Sequence, residues 1–379
     1  MEFALTETQQ LIRDTARQFA DEKVAPGTID RDEREEFPAA IVRELGELGF
    51  MGMMVPEEWG GAGLDTMSYV LAMEQISRVD ASVGVIMSVN NSLVCYGLNK
   101  EGSVDQKERF LRDLASGRKL GAFALSEPEA GSDASNQRTA AVRDGDAYIL
   151  NGTKNWITNG STADLVLVMA ATDKSKGAKG ISTFIVEKGT AGFAVAKKER
   201  KLGIRSSDTV SLSFTDCRVP AANVVGEAGS GFKFAMKTLE GGRIGIAAQA
   251  LGIAQGCLDA SVRYAKERKA FDKPIAELQA IQFKIADMAT NIDAARMLVY
   301  KAASLKDAEA PFGQDAAMAK LFASKIAVQA ALEAIQIHGG YGYVREYLVE
   351  RYLRDAKVTE IYEGTSEIQR IVIARSLLK

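Results

Sequence analysis

The sequence predicts an α+β fold in three consecutive parts: an N-terminal all-α domain over residues 1–120, a middle antiparallel β-barrel or sandwich domain over 121–230, and a C-terminal four-helix bundle over 231–379. Three observations predict this order. Apolar residues recur at helical spacing in the first part, and short β-rich runs alternate with Gly-containing turn signals in the second. Long segments rich in Ala, Leu, Lys and Glu, joined by short loops, make up the third.

The composition is that of an ordinary globular protein and excludes several classes. The chain has 379 residues, with 47 Lys and Arg against 50 Asp and Glu, so its formal net charge is −3. No positive excess draws it to nucleic acid or to an anionic membrane. The apolar stretches, such as Leu165–Ala171, are too short to span a bilayer. We therefore expect a protein without membrane insertion, located in a bacterial-type cytoplasm or a matrix-like compartment.

Cysteine and histidine are scarce, which limits the possible chemistry. The three cysteines, Cys95, Cys217 and Cys257, are far apart and form no CxxC pair. A disulfide framework or a metal site is therefore not expected. The single histidine, His338, would have to serve in any Ser-His-Asp or Cys-His relay. The chemistry must otherwise depend on carboxylates, hydroxyls, backbone groups or a bound cofactor.

The N-terminal part begins with a helix signal. Thr6-Glu-Thr-Gln9 has the pattern of a capping box, and Ile12, Ala16 and Phe19 follow on one helical face. A second helix ends near Leu48, and the Gly-rich run at 59–63 is predicted as a loop. Helical patterns return at 67–79 and 105–116.

The middle part contains six β-rich runs, which we predict as strands. They are 138–142, 147–150, 154–158, 165–171, 181–186 and 210–214. The turn signals between them are Asp144-Gly145, Asn151-Gly152, Asn159-Gly160 and Lys176-Gly177. Such short strands with frequent turns are typical of an antiparallel barrel or sandwich.

The C-terminal part predicts long helices with few interruptions. The expected helices are 232–267, 275–306, 313–337, 347–355 and 366–378. No segment fits a P-loop, and no GxGxxG follows a strand and opens a helix. Gly226-Glu-Ala-Gly-Ser-Gly231 is predicted to be only the linker into the bundle. A nucleotide cofactor, if one binds, therefore uses another scaffold.

Three segments are too particular for a plain bundle when they are considered together. They are Ala122–Asp133, His338-Gly-Gly-Tyr-Gly-Tyr343 and Ile361-Tyr-Glu-Gly-Thr-Ser-Glu367. Singly, they are a turn, a helix break and a helix cap. With Trp156-Ile-Thr158, the Glu240-Gly-Gly-Arg243 loop, Arg268-Lys-Ala-Phe271 and Gln336–Gly340, the chain closely resembles the acyl-CoA dehydrogenase family, and within it the short-chain, butyryl-CoA type. The resemblance covers essentially the whole chain.

The resemblance implies a function and a catalytic base. It implies non-covalent FAD, a homotetramer built as a dimer of dimers, and transfer of electrons to an electron-transferring flavoprotein. Glu363 matches the family's base, which removes the α-proton of an acyl-CoA thioester while the β-hydride passes to flavin N5. The backbone N–H of Glu363 would stabilise the thioester oxyanion. Some relatives carry the base at the position of Gly242, which has no side chain to serve.

The same resemblance assigns residues to the cofactor and the substrate. The flavin ring segments match Phe123, Leu125, Ser126, Gly131, Ser132, Trp156, Ile157 and Thr158. The pyrophosphate and adenosine side matches Arg268 of the neighbouring subunit, with Phe271, Gln279, Gln336, Ile337, Gly339 and Gly340, while Thr365, Ser366 and Glu367 cap the helix after the base. The substrate contacts match Ser132, Glu240, Arg243, Tyr362 and Gly364. His338 is expected to lie beside FAD without a catalytic role.

Two alternatives remain open from the sequence. An acyl-CoA oxidase would pass the electrons to O₂ and would produce peroxide as fast as it reduces a dye. A catalytically silent member would bind acyl-CoA, or act as a helical assembly partner, without reducing a flavin. The presence of both Glu363 and Arg268 weighs against the silent member, and the length of 379 residues weighs against the oxidase.

Overall fold

The computed structural model describes residues 4–378. The N-terminal part is helical, as predicted. Its helices are α1 Glu7–Phe19, α2 Thr28–Arg34, α3 Ala39–Glu47, α4 Thr66–Val79, α5 Ala81–Ser88, α6 Tyr96–Glu101, α7 Val104–Gln106 and α8 Arg112–Ala115. The predicted capping box is confirmed, because the Thr6 side chain accepts from Gln9 N while the Gln9 side chain accepts from Thr6 N. Ala16 and Phe19 turn toward the core.

The helix beginning at α5 was not predicted from the sequence. A π-helical segment, Val89–Cys95, joins α5 to α6, so the chain is helical from Ala81 to Glu101. Within residues 4–378 this is the one helix long and apolar enough to cross a membrane, but 94% of its most apolar window is buried inside the protein. The expectation that every apolar stretch is too short was therefore wrong for this segment. It is the core helix of the N-terminal part, buried on nearly all sides, and therefore lacks the one-sided pattern that predicts a surface helix.

The middle part is an eight-stranded sheet. Its strands are β1 Gly121–Ala124, β2 Ala140–Asp144, β3 Ala147–Thr158, β4 Leu165–Ala171, β5 Ile181–Glu187, β6 Phe193–Lys198, β7 Thr209–Pro220 and β8 Val224–Val225. The strand order is β6-β7-β3-β2-β4-β5-β8, and β1 pairs with β4. Most pairs are antiparallel, but β1 and β2 both run parallel to β4, so the sheet is mixed and not purely antiparallel as predicted.

One predicted turn is wrong. Asn151-Gly152 does not separate two strands but lies inside β3, where the pairing with β7 shifts register between Leu150 and Gly152. A Cβ at residue 152 would meet the backbone of Thr139 at 2.6 Å, so glycine is needed there for close approach and not for a turn. The hairpin at Asp144-Gly145 is confirmed, since β2 and β3 pair directly across it.

The sheet is buried on both faces where it joins the helices. Along β4, Leu165, Leu167 and Met169 pack into the large core shared with the helices, whereas Val166, Val168 and Ala170 pack into a second core inside the sheet part. This is the period of two expected for a strand covered on both sides. The arrangement fixes β1, which pairs with β4, against the helical layer.

The C-terminal part consists of α9 Gly231–Glu267, α10 Gln279–Asp307, α11 Gly313–His338, α12 Leu348–Thr359 and α13 Ser366–Leu377, with a small hairpin of β9 Lys269–Ala270 and β10 Lys273–Pro274 after α9. Helices α9, α10 and α11 pack on one another, α12 packs on α9 and α11, and α13 packs on α11. The segment Glu240–Arg243 is not a loop but continues inside α9. The division at residues 120 and 230 stays a prediction.

Candidate active site

Glu363 lies in the short turn that joins α12 to α13, and its backbone is unusual. Glu363 has φ +52° and Gly364 has φ +96°, so two consecutive residues lie at positive φ. A glutamate rarely adopts this conformation, which the surrounding contacts must therefore hold in place. Ser366 N donates to Glu360 O at 2.9 Å and closes the turn. Thr365 begins α13 as its N-cap, as predicted, because its hydroxyl accepts from Ile368 N.

Glu363 is half-buried, and one of its two carboxylate oxygens is shielded from water. Its Oε2 is buried and has no hydrogen-bond partner within residues 4–378. Burial raises the pKa of Glu363 from 4.5 to about 7, and the positive charges of Lys320 and Arg243 limit the rise. A carboxylate with this pKa can accept a proton near neutral pH. In the same part of the chain the N–H of Glu363 donates to no protein group.

Helix α9 forms the wall against which the Glu363 carboxylate lies. Gly242 lies directly against the carboxylate: a Cβ at residue 242 would lie 3.2 Å from Glu363 Cδ, closer still to Oε2, and 2.8 Å from Leu93 Cδ2. A side chain at residue 242 and the observed position of Glu363 therefore exclude one another. Arg243 is 7% exposed, and its Nε has no partner among the described residues. Burial lowers the pKa of Arg243, while the charges of Glu240 and Glu363 oppose this shift.

The predicted substrate residues divide between this wall and the surface. Tyr362 is half-buried, and its hydroxyl donates to Gln249 Oε1 on α9. Gln249 is fully buried and donates in turn to Ala81 O at 2.7 Å, which ties the turn to the start of α5. Glu240 is exposed at the outer side of α9, and a Cβ at Gly313 would lie 3.4 Å from its Oε1. Glu240 therefore lies beside the first residue of α11.

Two buried residues near Glu363, Lys320 and Tyr69, were missed by the sequence analysis. Lys320 on α11 is 1% exposed, and its ammonium donates to Thr359 O at 3.0 Å and to Gly364 O at 2.8 Å. Burial lowers the pKa of Lys320 to about 8. Tyr69 on α4 is 1% exposed and lies 2.9 Å from Ser88 Oγ. A signal for Lys320 existed, because it interrupts an Ala-rich helical face that is otherwise buried.

A second group of predicted residues lies where β1 and β3 approach each other. Asn155 N donates to Ser126 O at 2.9 Å, which places Ser126 beside the end of β3. Trp156 has φ +63° and is 62% exposed, so its indole projects from the sheet. Phe123 and Ile157 are 9% and 2% exposed. Phe123 stacks on Phe234 of α9 at 6.4 Å between ring centroids. Leu125 is buried, Ser126 and Thr158 are half-buried, and Gly131 and Ser132 are exposed.

A buried ion pair supports this group from behind. Lys154 is fully buried, and its ammonium donates to Glu127 Oε1 at 2.7 Å and to Leu125 O at 3.0 Å. Burial lowers the pKa of Lys154 to about 8, opposed by the Glu127 carboxylate. Glu127 also accepts from Thr139 N at 3.1 Å. The pair was missed, although the alternation of β3 places residue 154 on a buried face.

A third group lines a cavity of about 480 Å³ at the end of α11. Arg268, Ile337, Gly339 and Gly340 line it together with Tyr264, Ile275, His338, Tyr341 and Val344. His338 stacks on Tyr264 at 4.1 Å, and its Nδ1 donates to Ala334 O at 2.7 Å. Burial lowers the pKa of His338, which favours the neutral ring. Arg268 lies 5.4 Å over the ring of Tyr341.

The remaining predicted residues lie after α9, at the start of α10, near the end of α11 and in the first turn of α13. Phe271 is 85% exposed with φ +55°, Gln279 begins α10, and Gln336 lies exposed near the end of α11. Ser366 and Glu367 form the first turn of α13. The hydrogen bonds and cavity lining among residues 4–378 do not connect the Arg268 cavity with Glu363. Among the described residues of one copy of the chain, the Arg268 cavity is therefore separate from the residues around Glu363.

Family models match nearly the whole chain. The N-terminal domain of acyl-CoA dehydrogenase matches residues 6–118, the middle domain matches 122–217, and the C-terminal domain matches 229–378. The chain is 54% identical over 375 residues to the mitochondrial short-chain specific acyl-CoA dehydrogenase of Mus musculus, covering 99% of this chain and 91% of that protein. Each of the three parts of the chain therefore matches a domain of the same family.

Solved structures agree with these matches. The butyryl-CoA dehydrogenase of Megasphaera elsdenii superposes with a TM-score of 0.98 at 49% identity, covering 100% of both chains. A chain in the structure reported for the electron transferring flavoprotein of Acidaminococcus fermentans superposes with a TM-score of 0.99 at 52% identity, again over 100% of both chains. The protein therefore belongs to the acyl-CoA dehydrogenase family of flavin-dependent oxidoreductases.

Proposed function

We propose that the protein oxidises short-chain acyl-CoA thioesters to trans-2-enoyl-CoA, with Glu363 as the base that removes the α-proton. The observation that carries the proposal is the carboxylate itself: Oε2 is buried, has no protein partner within the described chain and faces a wall of glycine. An unsatisfied buried carboxylate is costly unless a ligand completes it. The identities of 54% and 49% to short-chain and butyryl-CoA enzymes support the short acyl chain.

The residues around the base have defined tasks in this proposal. A thioester that lies beside the turn of Glu363, with its α-carbon at the carboxylate, would bring its carbonyl oxygen to the free Glu363 N–H. That N–H stabilises negative charge as it develops on the oxygen. Burial raises the pKa of the carboxyl group, which brings it closer to the pKa of the weakly acidic α-carbon. Arg243, Tyr362, Gly364, Ser132 and Glu240 are the proposed contacts to the rest of the acyl-CoA.

We propose FAD as the cofactor. The projecting indole of Trp156 and the hydroxyls of Ser126 and Thr158 fit a planar ring with polar edges. The cavity of about 480 Å³ beside Arg268 fits a nucleotide moiety, with a guanidinium at its rim for phosphate oxygens. When bound, FAD supplies the acceptor for the hydride that leaves the β-carbon, which no protein side chain can provide.

We propose a homotetramer in which Arg268, Phe271, Gln279 and Gln336–Gly340 serve the FAD site of a neighbouring subunit. Two observations support it. The Arg268 cavity has no connection to Glu363 within one chain, and large apolar side chains stand exposed near it, Phe271 at 85% and Tyr343 at 87%. Exposed apolar surface of this kind is typical of an interface. We propose electron-transferring flavoprotein as the electron acceptor, and a bacterial cytoplasm or a matrix-like compartment as the location.

The test is anaerobic mixing of the purified protein with butyryl-CoA while the flavin absorbance is followed. The expected result is a yellow protein whose flavin band bleaches, and a Glu363→Gln variant that keeps its flavin but does not bleach. A protein that takes up no FAD, or a variant that still bleaches, would contradict the proposal. Reoxidation by O₂ with peroxide formed as fast as a dye is reduced would identify an oxidase instead. The kcat/KM values of a series of acyl-CoAs then measure the preference for acyl chain length, for which one methylene contributes about 1–3 kcal/mol of discrimination.

A further inference from the structure

The ammonium of Lys320 is a buried charge that the proposed reaction does not use. It is 1% exposed, and among the described residues it forms no ion pair with a carboxylate. Its two partners are main-chain oxygens, Thr359 O at 3.0 Å and Gly364 O at 2.8 Å. Burial of a cation is costly even with such bonds, and an apolar side chain would be expected where only packing matters.

The two oxygens bracket the turn that carries the base. Thr359 ends α12, and Gly364 directly follows Glu363. Two further buried side chains bond the same oxygens: Ser324 Oγ donates to Thr359 O at 2.9 Å, and Gln369 Nε2 donates to Gly364 O at 2.8 Å. The turn is therefore held at both ends by α11 and at one end by α13. This clamp opposes relaxation of the positive φ values at Glu363 and Gly364.

We propose that Lys320 is a positioning residue for the base: its ammonium fixes the turn from Glu360 to Thr365, so that the Glu363 carboxylate faces Gly242 and the Glu363 N–H stays free. The inference rests on the proposed function of Glu363. Lys320 does not touch the carboxylate in the structure, and it acts through the two carbonyls and through its charge.

The charges around the base define the second effect. From α11 and α9, Lys320 and Arg243 lower the pKa of Glu363, and Lys320 is the larger of the two influences. The phenol of Tyr69 on α4 is neutral and lies within electrostatic reach of Glu363. The titratable groups on the turn of Glu363 itself are Tyr362 and Glu360. Loss of Lys320 leaves Arg243 alone to oppose burial. The pKa of Glu363 then rises, and the carboxylate is ionised only at higher pH.

The test compares Lys320→Met with Lys325→Met in the FAD-loaded protein. Lys325 is exposed on the same helix and serves as the matched control. For Lys320→Met we expect flavin content to be retained and the rate of flavin reduction by butyryl-CoA at pH 7 to fall about 100-fold, with KM nearly unchanged. We also expect the midpoint of the pH profile to move upward by about one unit. Infrared difference spectra, with the Glu363 carboxyl band assigned by Glu363→Gln, report the same shift without turnover.

A second variant separates geometry from charge. Ser324→Ala removes one bond to Thr359 O and keeps the ammonium, so we expect a smaller loss of kcat, about threefold to tenfold, and an unmoved midpoint. An unmoved pH midpoint and infrared titration in Lys320→Met, or an equal loss in Lys325→Met, would overturn the inference. If Lys320→Met does not fold, an unchanged kcat in Ser324→Ala overturns it and a lowered kcat supports it. Failure of the wild-type protein to reduce its flavin would refute the proposed function instead.

Discussion

Substitution of Gly242 by alanine is expected to slow flavin reduction about 100-fold without unfolding the protein. The added methyl group would lie 3.2 Å from Glu363 Cδ, closer to Oε2, and 2.8 Å from Leu93 Cδ2. Both neighbours are ends of flexible side chains, so the fold can accommodate the methyl group if the carboxylate moves. Restoring an ordinary van der Waals separation requires a displacement of about 1 Å.

The magnitude follows from this displacement. A misplacement of about 1 Å at the reacting group costs about 100-fold in rate, or roughly 2.7 kcal/mol in the barrier. The free energy of unfolding should rise or stay unchanged although the rate falls. Residue 242 lies inside α9, where alanine is favoured over glycine by about 1 kcal/mol. The variant should therefore melt no lower than the wild type while its flavin reduction is slow.

The assay is anaerobic stopped-flow reduction by butyryl-CoA, with melting temperature and FAD content measured on the same samples. Gly241→Ala is the matched control, because a Cβ there would meet only the end of the Lys306 side chain, at 3.4 Å from Nζ and 3.8 Å from Cε. The control should reduce its flavin within about twofold of the wild-type rate. A Gly242→Ala variant with the wild-type rate, or a control that is equally slow, would refute the steric argument.

Four further predictions concern the pH dependence of the rate, the stability of the fold and the binding of the cofactor. Because burial raises the pKa of Glu363 to about 7, kcat/KM for flavin reduction should rise as pH increases through 7, and a rate that is flat between about pH 6 and 8 would contradict this. This pKa lies above the unfolded value of 4.5, so ionisation of Glu363 lowers the free energy of unfolding as pH rises through 7. Glu363→Gln should therefore melt at a higher temperature than the wild type at about pH 8.5, with little difference between the two at about pH 4. Lys154→Met strands a buried carboxylate and should cost about 3–5 kcal/mol, partly regained when Glu127→Gln is added, as measured by thermal unfolding; equal stability of the single and double variants would be inconsistent with a paired charge. Arg268→Gln should weaken FAD binding about tenfold or more in fluorescence titrations with a normal melting temperature, and an unchanged Kd would remove Arg268 from the cofactor site.

Local rules explain why the elements could be predicted from the sequence. The capping box at Thr6, the hairpin at Asp144-Gly145 and the helix break after His338 each depend on residues within a few positions of one another. The apolar helix from Ala81 to Glu101 escaped this reasoning because it is buried on all sides and has no polar face. The parallel pairing of β1 with β4, some forty residues apart, likewise has no local signal.

The order of motifs along the chain by itself determined the family and the choice of Glu363 as base, because those motifs are short, continuous and specific. Only the tertiary structure decided the surroundings of that carboxylate: the glycine wall of α9, the buried charge of Lys320 and the lack of a partner for Oε2 among residues 4–378. Each depends on contacts between residues 40 to more than 100 positions apart. Burial and charge set a pKa through such contacts, and sequence spacing does not encode them.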